Sequence, residues 1–125
     1  MPIKTNKKIL IIDDDENIIK MLELVLKPYG VEIDNAKSGS EGIRRAKEIK
    51  PDLITLDIRM PGIGGLEALK KLKNDEETKN IPIIVVSADA DRFKKECVSI
   101  GAYCVLNKPF DFNQFRTIIK NILII

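Results

Sequence analysis

The chain contains no histidine and no tryptophan among its 125 residues. Without an imidazole it cannot assemble a Ser-His-Asp or Cys-His centre, is poorly equipped for zinc, and cannot itself carry a phosphohistidine. Cysteine is scarce: Cys97 and Cys104 lack a metal-type spacing and stand in apolar stretches, so they read as small core residues rather than a redox pair. Also missing is any apolar run near the ~20 residues that span a bilayer, and Met1 to Lys8 is too short and polar for a signal peptide. A cytoplasmic protein without a membrane partner is therefore expected. Nor does one sign of charge dominate, because 21 basic and 19 acidic residues leave a net charge of only +2. No basic stripe is visible, so direct nucleic-acid binding is not expected.

What is present is ordinary for one folded unit: 44% apolar and 32% charged residues over a length that suits a single domain, residues 1–125. Three short apolar runs, Ile9 to Ile12, Leu53 to Leu56 and Ile83 to Val86, predict buried strands. Val31 to Asp34 alternates and Tyr103 to Leu106 is weaker, which suits strands at the two edges. Helical spacing fills the intervals. Ile18, Met21, Leu22 and Val25 form the first stripe, ended by Pro28 and Gly30. Ile43, Ala46 and Ile49 form the second, and Leu66, Leu69 and Leu72 the third. Phe93, Cys97 and Ile100 precede Gly101, and Phe112, Phe115, Ile118, Ile119 and Ile122 close the chain. Alternation of this kind predicts an α/β fold: a doubly wound five-stranded parallel sheet, strand order 2-1-3-4-5, of the flavodoxin-like (βα)5 type.

In that topology ligands meet the carboxyl ends of the strands. The residues following the strands there are Asp13, Asp14 and Asp15, then Asp57, Ser87, and Asn107-Lys108-Pro109. Asp15 or Asn17 reads as the cap of the first helix. Asp13, Asp14 and Asp57 would repel one another by a few kcal/mol per pair at about 4 Å and an effective dielectric near 20, so a neutralising cation is expected. Magnesium, which takes a few carboxylates and keeps waters, fits better than calcium, which wants more ligands than this rim offers. Lys108 supplies a mobile positive charge and Ser87 a hydroxyl donor, a set suited to a phosphoryl group arriving on Asp57.

Ile9 to Asp14, Leu56-Asp57-Ile58-Arg59-Met60-Pro61-Gly62, Val86-Ser87-Ala88 and Asn107-Lys108-Pro109-Phe110 together resemble the motifs of response-regulator receiver domains over essentially the whole chain. The resemblance implies that Asp57 is the phosphoacceptor and that Asp14 binds magnesium directly, Asp13 through water, and Arg59 through its backbone carbonyl. It further implies that Ser87 is a switch hydroxyl, that Lys108 binds phosphate, and that the Lys108-Pro109 bond is cis. The donor would be a phosphohistidine on a sensor histidine kinase or histidine phosphotransfer protein, consistent with the missing histidines. Such a regulator catalyses its own phosphorylation and dephosphorylation. Its downstream protein target would meet the face of helix four, strand five and helix five, with Gly62, Gly64 and Gly65 as a pliable connection.

There are departures from the family pattern. Val105 stands where many members carry a switch aromatic, and Tyr103 is displaced along the strand, which leaves the aromatic half of the switch open; Phe110 is a candidate for partial substitution and is not assigned that role. Arg59 and Asp89 are expected beside Asp57, either as an ion pair shielding the acyl phosphate from water or as a solvated surface pair. Ile18 and Ile19 are candidate docking residues for a partner, with ordinary helix packing as the alternative. Two other activities are open: a phosphorelay intermediate that passes its phosphoryl group onward, and a haloacid-dehalogenase-like phosphatase using Asp13 and Asp15. A non-phosphorylated interaction module is the third alternative.

Overall fold

The computed structural model describes residues 5–59, 62 and 64–125. Ten principal elements alternate: β1 (Lys8–Ile12), α1 (Glu16–Leu26), β2 (Glu32–Ala36), α2 (Gly39–Ile49), β3 (Leu53–Asp57), α3 (Gly64–Asn74), β4 (Ile83–Ser87), α4 (Ala90–Ile100), β5 (Cys104–Asn107) and α5 (Phe112–Leu123). The sheet is parallel with order β2-β1-β3-β4-β5, as the alternating pattern predicts. Met60 and Pro61 of the quoted motif lie outside the described residues.

Alternation along the strands sends neighbouring side chains to opposite faces. Leu10, Ile12, Ile54, Leu56 and Val85 face one core, against Ala46 of α2, Leu69 and Leu72 of α3 and Cys97 of α4. Ile9, Ile11, Leu53, Ile84 and Val86 face the other, against Leu22 and Leu26 of α1 and Phe115, Ile119 and Leu123 of α5. Both edge strands start and end later than their apolar residues suggest. Their bounds follow the ladders, in which Lys8 to Ile12 pair with Glu32 to Ala36 and Ile84 to Ser87 with Cys104 to Asn107.

The first helix departs from its expected stripe. Its buried residues are Ile19, Leu22 and Leu26, whereas Ile18 and Val25 are only partly buried and Leu24 is exposed. Ile19 is therefore a core residue, 2% exposed, and is unavailable for docking a partner.

Gly65 also has a role other than pliability. A Cβ built there would stand 2.2 Å from the carbonyl oxygen of Asp57 and 2.4 Å from the Cα of Ile58. The missing side chain lets α3 approach the end of β3, where the Gly65 amide donates to the Ile58 carbonyl at 3.0 Å. Gly65→Ala is expected to destabilise the protein by about 2 kcal/mol, because backbone must move to admit the methyl group. The shift should appear as a lower urea midpoint at unchanged slope.

Candidate functional site

Each strand end delivers one part of a polar crevice. Asp13 follows β1 and is anchored by its amide, which donates to the Ala36 carbonyl at 3.0 Å. Its carboxylate Oδ1 accepts the Asp15 amide at 2.9 Å. Asp57 ends β3, and its Oδ1 accepts the Arg59 amide at 3.1 Å. Both carboxylates are nearly sealed by the surrounding chain, Asp13 at 1% and Asp57 at 5% exposure, while Asp14 is open to solvent. One oxygen from each of the three carboxylates falls within 4.8 Å of the others.

Lys108 enters from the far side. Its ammonium lies 3.1 Å from Asp13 Oδ2 and 3.3 Å from Asp57 Oδ2, bridging the two buried acids. Burial pushes the Asp13 carboxyl above the usual carboxylate range; the Asp15 amide pulls it back, the Asp57 charge adds to the rise and Lys108 opposes it. For Lys108, burial works downward, but attraction from Asp13 and Asp57 outweighs it and leaves the ammonium above the ordinary lysine value. A single ammonium against three carboxylates leaves an ionised cluster with two uncompensated negative charges. An all-oxygen donor set of this charge and spacing fits a hard divalent cation.

Ser87, at the end of β4, is fully buried, and its Oγ accepts the Asp89 amide at 3.0 Å. The Lys108 amide donates to the Ser87 carbonyl at 3.0 Å, so the serine and the lysine are held to one another through the backbone. The Lys108-Pro109 bond is cis, in agreement with the family resemblance. Asp15 accepts the Asn17 amide at 2.9 Å as the cap of α1. That role commits its carboxylate to the helix end and removes the second acid from the phosphatase reading.

Arg59 and Asp89 do meet at the mouth of the crevice, but loosely. Their closest charged atoms are 3.9 Å apart, and the same Asp89 oxygen lies 3.9 Å from Arg92. Val105 is buried on the α2, α3 and α4 side of the sheet, and Tyr103 is exposed before β5 begins. Phe110 does not replace the absent aromatic. It packs on the opposite face with ring centroids 5.5 Å from Phe115 and 6.2 Å from Phe112.

One contact escaped the sequence reading. Asn107, beside Lys108, accepts the Ala90 amide at 3.2 Å through Oδ1. Nothing in the local pattern separates this asparagine from a solvated strand end, because its partner lies 17 residues earlier on another element.

The sequence model described as the response regulator receiver domain matches residues 9–120. The polar-differentiation response regulator DivK of Brucella ovis is 36% identical over 118 residues, covering 94% of this chain and 96% of that protein. The alkaline phosphatase synthesis transcriptional regulatory protein PhoP of Bacillus subtilis is 34% identical over 119 residues, or 94% of this chain. The chain spans about half of that relative, 49% of its length. Among solved structures, chemotaxis response regulator CheY4 of Vibrio cholerae superposes with a TM-score of 0.85 at 28% identity, covering 94% of this chain and 99% of that one. The receiver domain of sensor histidine kinase PA1611 from Pseudomonas aeruginosa, crystallised with magnesium coordinated in its active-site cleft, gives 0.85 at 25% identity, covering 95% and 98%. Fold, strand-end residues and sequence agree: this chain belongs to the response regulator receiver domain family of two-component signalling.

Proposed function

We propose that Asp57 accepts a phosphoryl group in a magnesium-dependent reaction and that the resulting aspartyl phosphate switches partner binding. The observation that carries this reading is the bridge of Lys108 between Asp13 and Asp57 inside a cluster of three carboxylates. Asp13, Asp14 and Asp57, with the backbone carbonyl of Arg59, would hold the ion, which when bound supplies positive charge against the phosphoryl oxygens.

The chain's own groups account for the rest. An Asp57 carboxylate oxygen attacks phosphorus; a P–O bond forms as the P–N bond to the donor imidazole breaks, and the departing nitrogen keeps the electron pair and takes a proton from solvent. Lys108 follows the negative charge from the Asp57 oxygen onto the phosphoryl oxygens. The buried Ser87 hydroxyl can donate to a phosphoryl oxygen while its lone pairs remain free for the Asp89 amide. The donor imidazole would come from a sensor histidine kinase or a histidine phosphotransfer protein, as in the receiver family, because this sequence has no histidine of its own to supply one. Ile18, half-buried at the start of α1, can meet that donor.

The product adds about −1.5 to −2 charge at the crevice, which is enough to draw Ser87 and Lys108 inward and bias the α4, β5 and α5 face. A groove of about 340 Å³ runs along this face, lined by Ala90, Lys94, Val105, Asn107 and Gln114 among others, and offers a seat for the downstream protein. Val105 fills the core beneath it, so the signal travels without an aromatic swing. No helix among the described residues is long and apolar enough to cross a membrane, which suits a domain that receives its phosphoryl group in the cytoplasm.

The test is incubation with acetyl phosphate and magnesium followed by intact mass. Wild type should gain the mass of one phosphoryl group, and Asp57→Asn should gain none. No gain on folded wild type, or an equal gain on the variant, overturns the reading. A second expectation concerns lifetime: Arg59→Ala should speed hydrolysis of the acyl phosphate by about twofold to fivefold, the range for losing a partly solvated pair. Equal decay of the mass adduct in both proteins would show that Arg59 and Asp89 do not shield it.

A further inference from the structure

We propose that Asn107 is a positioning residue that latches the start of α4 to the end of β5 and relays the position of Lys108 to that helix. The relay rests on the phosphoacceptor reading above; the latch does not.

A helix normally finds its first capping acceptor in the residue just before it, and aspartate is among the best residues for the purpose. Asp89 occupies that position before α4 yet makes no side-chain cap. Its carboxylate instead faces Arg59 and Arg92, 3.9 Å from each. The amide of Ala90, the first of the helix and one that a cap at Asp89 would not reach, donates instead to Asn107 Oδ1 at 3.2 Å, from outside the helix. Only the oxygen end of the asparagine amide can accept an N–H, so the bond also fixes how that side chain is turned.

Two further bonds complete a junction. The Asp89 amide donates to Ser87 Oγ at 3.0 Å, and the Lys108 amide donates to the Ser87 carbonyl at 3.0 Å. The end of β4, the end of β5 and the first turn of α4 are thereby joined within a few residues of Lys108. Asn107 precedes Lys108 directly, so a backbone shift that follows the lysine side chain carries the Asn107 acceptor with it and pulls on the Ala90 amide. Ser87 holds the residue before the helix, whereas among the described residues Asn107 is the side chain of β5 that hydrogen-bonds to the helix. The same division of labour leaves the Asp89 carboxylate uncommitted to the helix end and turned to Arg59 and Arg92 at the mouth of the crevice.

Backbone amide exchange of the full chain, followed by NMR, tests both parts. In unphosphorylated Asn107→Ala, exchange at Ala90 should be about fivefold faster than in wild type, as expected for loss of one hydrogen bond. Asn107→Asp, which keeps an acceptor at the same reach, should restore protection. After acetyl phosphate and magnesium, with addition checked by intact mass, protection at Ala90 should change in wild type and in Asn107→Asp but stay constant in Asn107→Ala. Unchanged Ala90 exchange in unphosphorylated Asn107→Ala overturns the latch. An Ala90 response to phosphorylation of equal size in all three proteins overturns the relay. Wild type that takes no phosphoryl group overturns the phosphoacceptor reading and the relay together, while the unphosphorylated proteins still decide the latch.

Discussion

Lys108→Met is expected to slow phosphorylation by acetyl phosphate by about 10²- to 10³-fold, the usual consequence of removing one aimed charge from a site where negative charge develops. The ammonium lies within 3.3 Å of both buried carboxylates, and its side chain is only 20% exposed, so water cannot take its place at full strength. Methionine preserves the length and packing of the stem, which isolates the charge. A time course of intact mass gives the rate, and a rate within threefold of wild type, on the order of 0.6 kcal/mol in the barrier, would remove Lys108 from the reaction.

The same variant carries a stability signature with a definite sign. Asp13 already has its carboxyl pKa raised above 3.8, with burial the leading cause and Lys108 among the opposing groups. Removing Lys108 raises it further. A carboxyl whose folded pKa lies above its unfolded value contributes stability that is fully present below the unfolded pKa and is lost as pH rises through the folded one. Metal-free Lys108→Met should therefore be less stable than wild type by about 3 kcal/mol at neutral pH, the lower end of the range for a buried carboxylate that loses its partner. The difference should shrink as the pH falls toward the ordinary aspartate value. Urea unfolding at several pH values measures it, and a deficit that grows on acidification would contradict the assignment of Asp13 as the buried acid that Lys108 compensates.

Phe115→Ala should produce the largest loss of stability, about 3–5 kcal/mol, as for other fully buried phenylalanines. Phe115 is fully buried between α5 and the sheet, and it is the largest such side chain among the described residues. Its ring also meets Phe110, 5.5 Å away, just beyond the Lys108-Pro109 pair. Truncation thus opens a cavity in the core and loosens the support of the segment that presents Lys108. A domain of this size has about 5–15 kcal/mol in total, so the variant would be near the edge of folding at 37 °C. The urea midpoint should fall sharply, while Phe115→Leu, which refills most of the volume, should lose much less. A midpoint within measurement error of wild type for Phe115→Ala would mean that α5 is not anchored as described.

Local pattern alone reached the alternating elements, the parallel sheet and the polar residues at the strand ends, because these depend on runs of four or five residues and on the period of the chain. Asp13, Asp14, Asp57, Ser87 and Lys108 were legible for the same reason: once strand and helix alternate, every residue after a strand falls on one rim. The helix-one stripe was not legible. Ile18, Ile19, Met21, Leu22, Leu24, Val25 and Leu26 are apolar enough to support two different faces. Packing against α5 and the sheet selects Ile19, Leu22 and Leu26.

Three other features belong to the tertiary structure alone. Gly65 is required by the backbone of β3, not by a turn. Phe110, beyond the end of β5, packs with Phe115 on the α1 and α5 side of the sheet, opposite Val105. Asn107 holds Ala90 across two elements, a partnership set by how β5 and α4 pack. The sequence by itself therefore determined the fold and the gathering of Asp13, Asp14, Asp57, Ser87 and Lys108 on one rim, since both follow from the local period of side chains. Tertiary packing decided which helix faces are covered and how α4 is tied to the site, since those depend on contacts between residues distant along the chain.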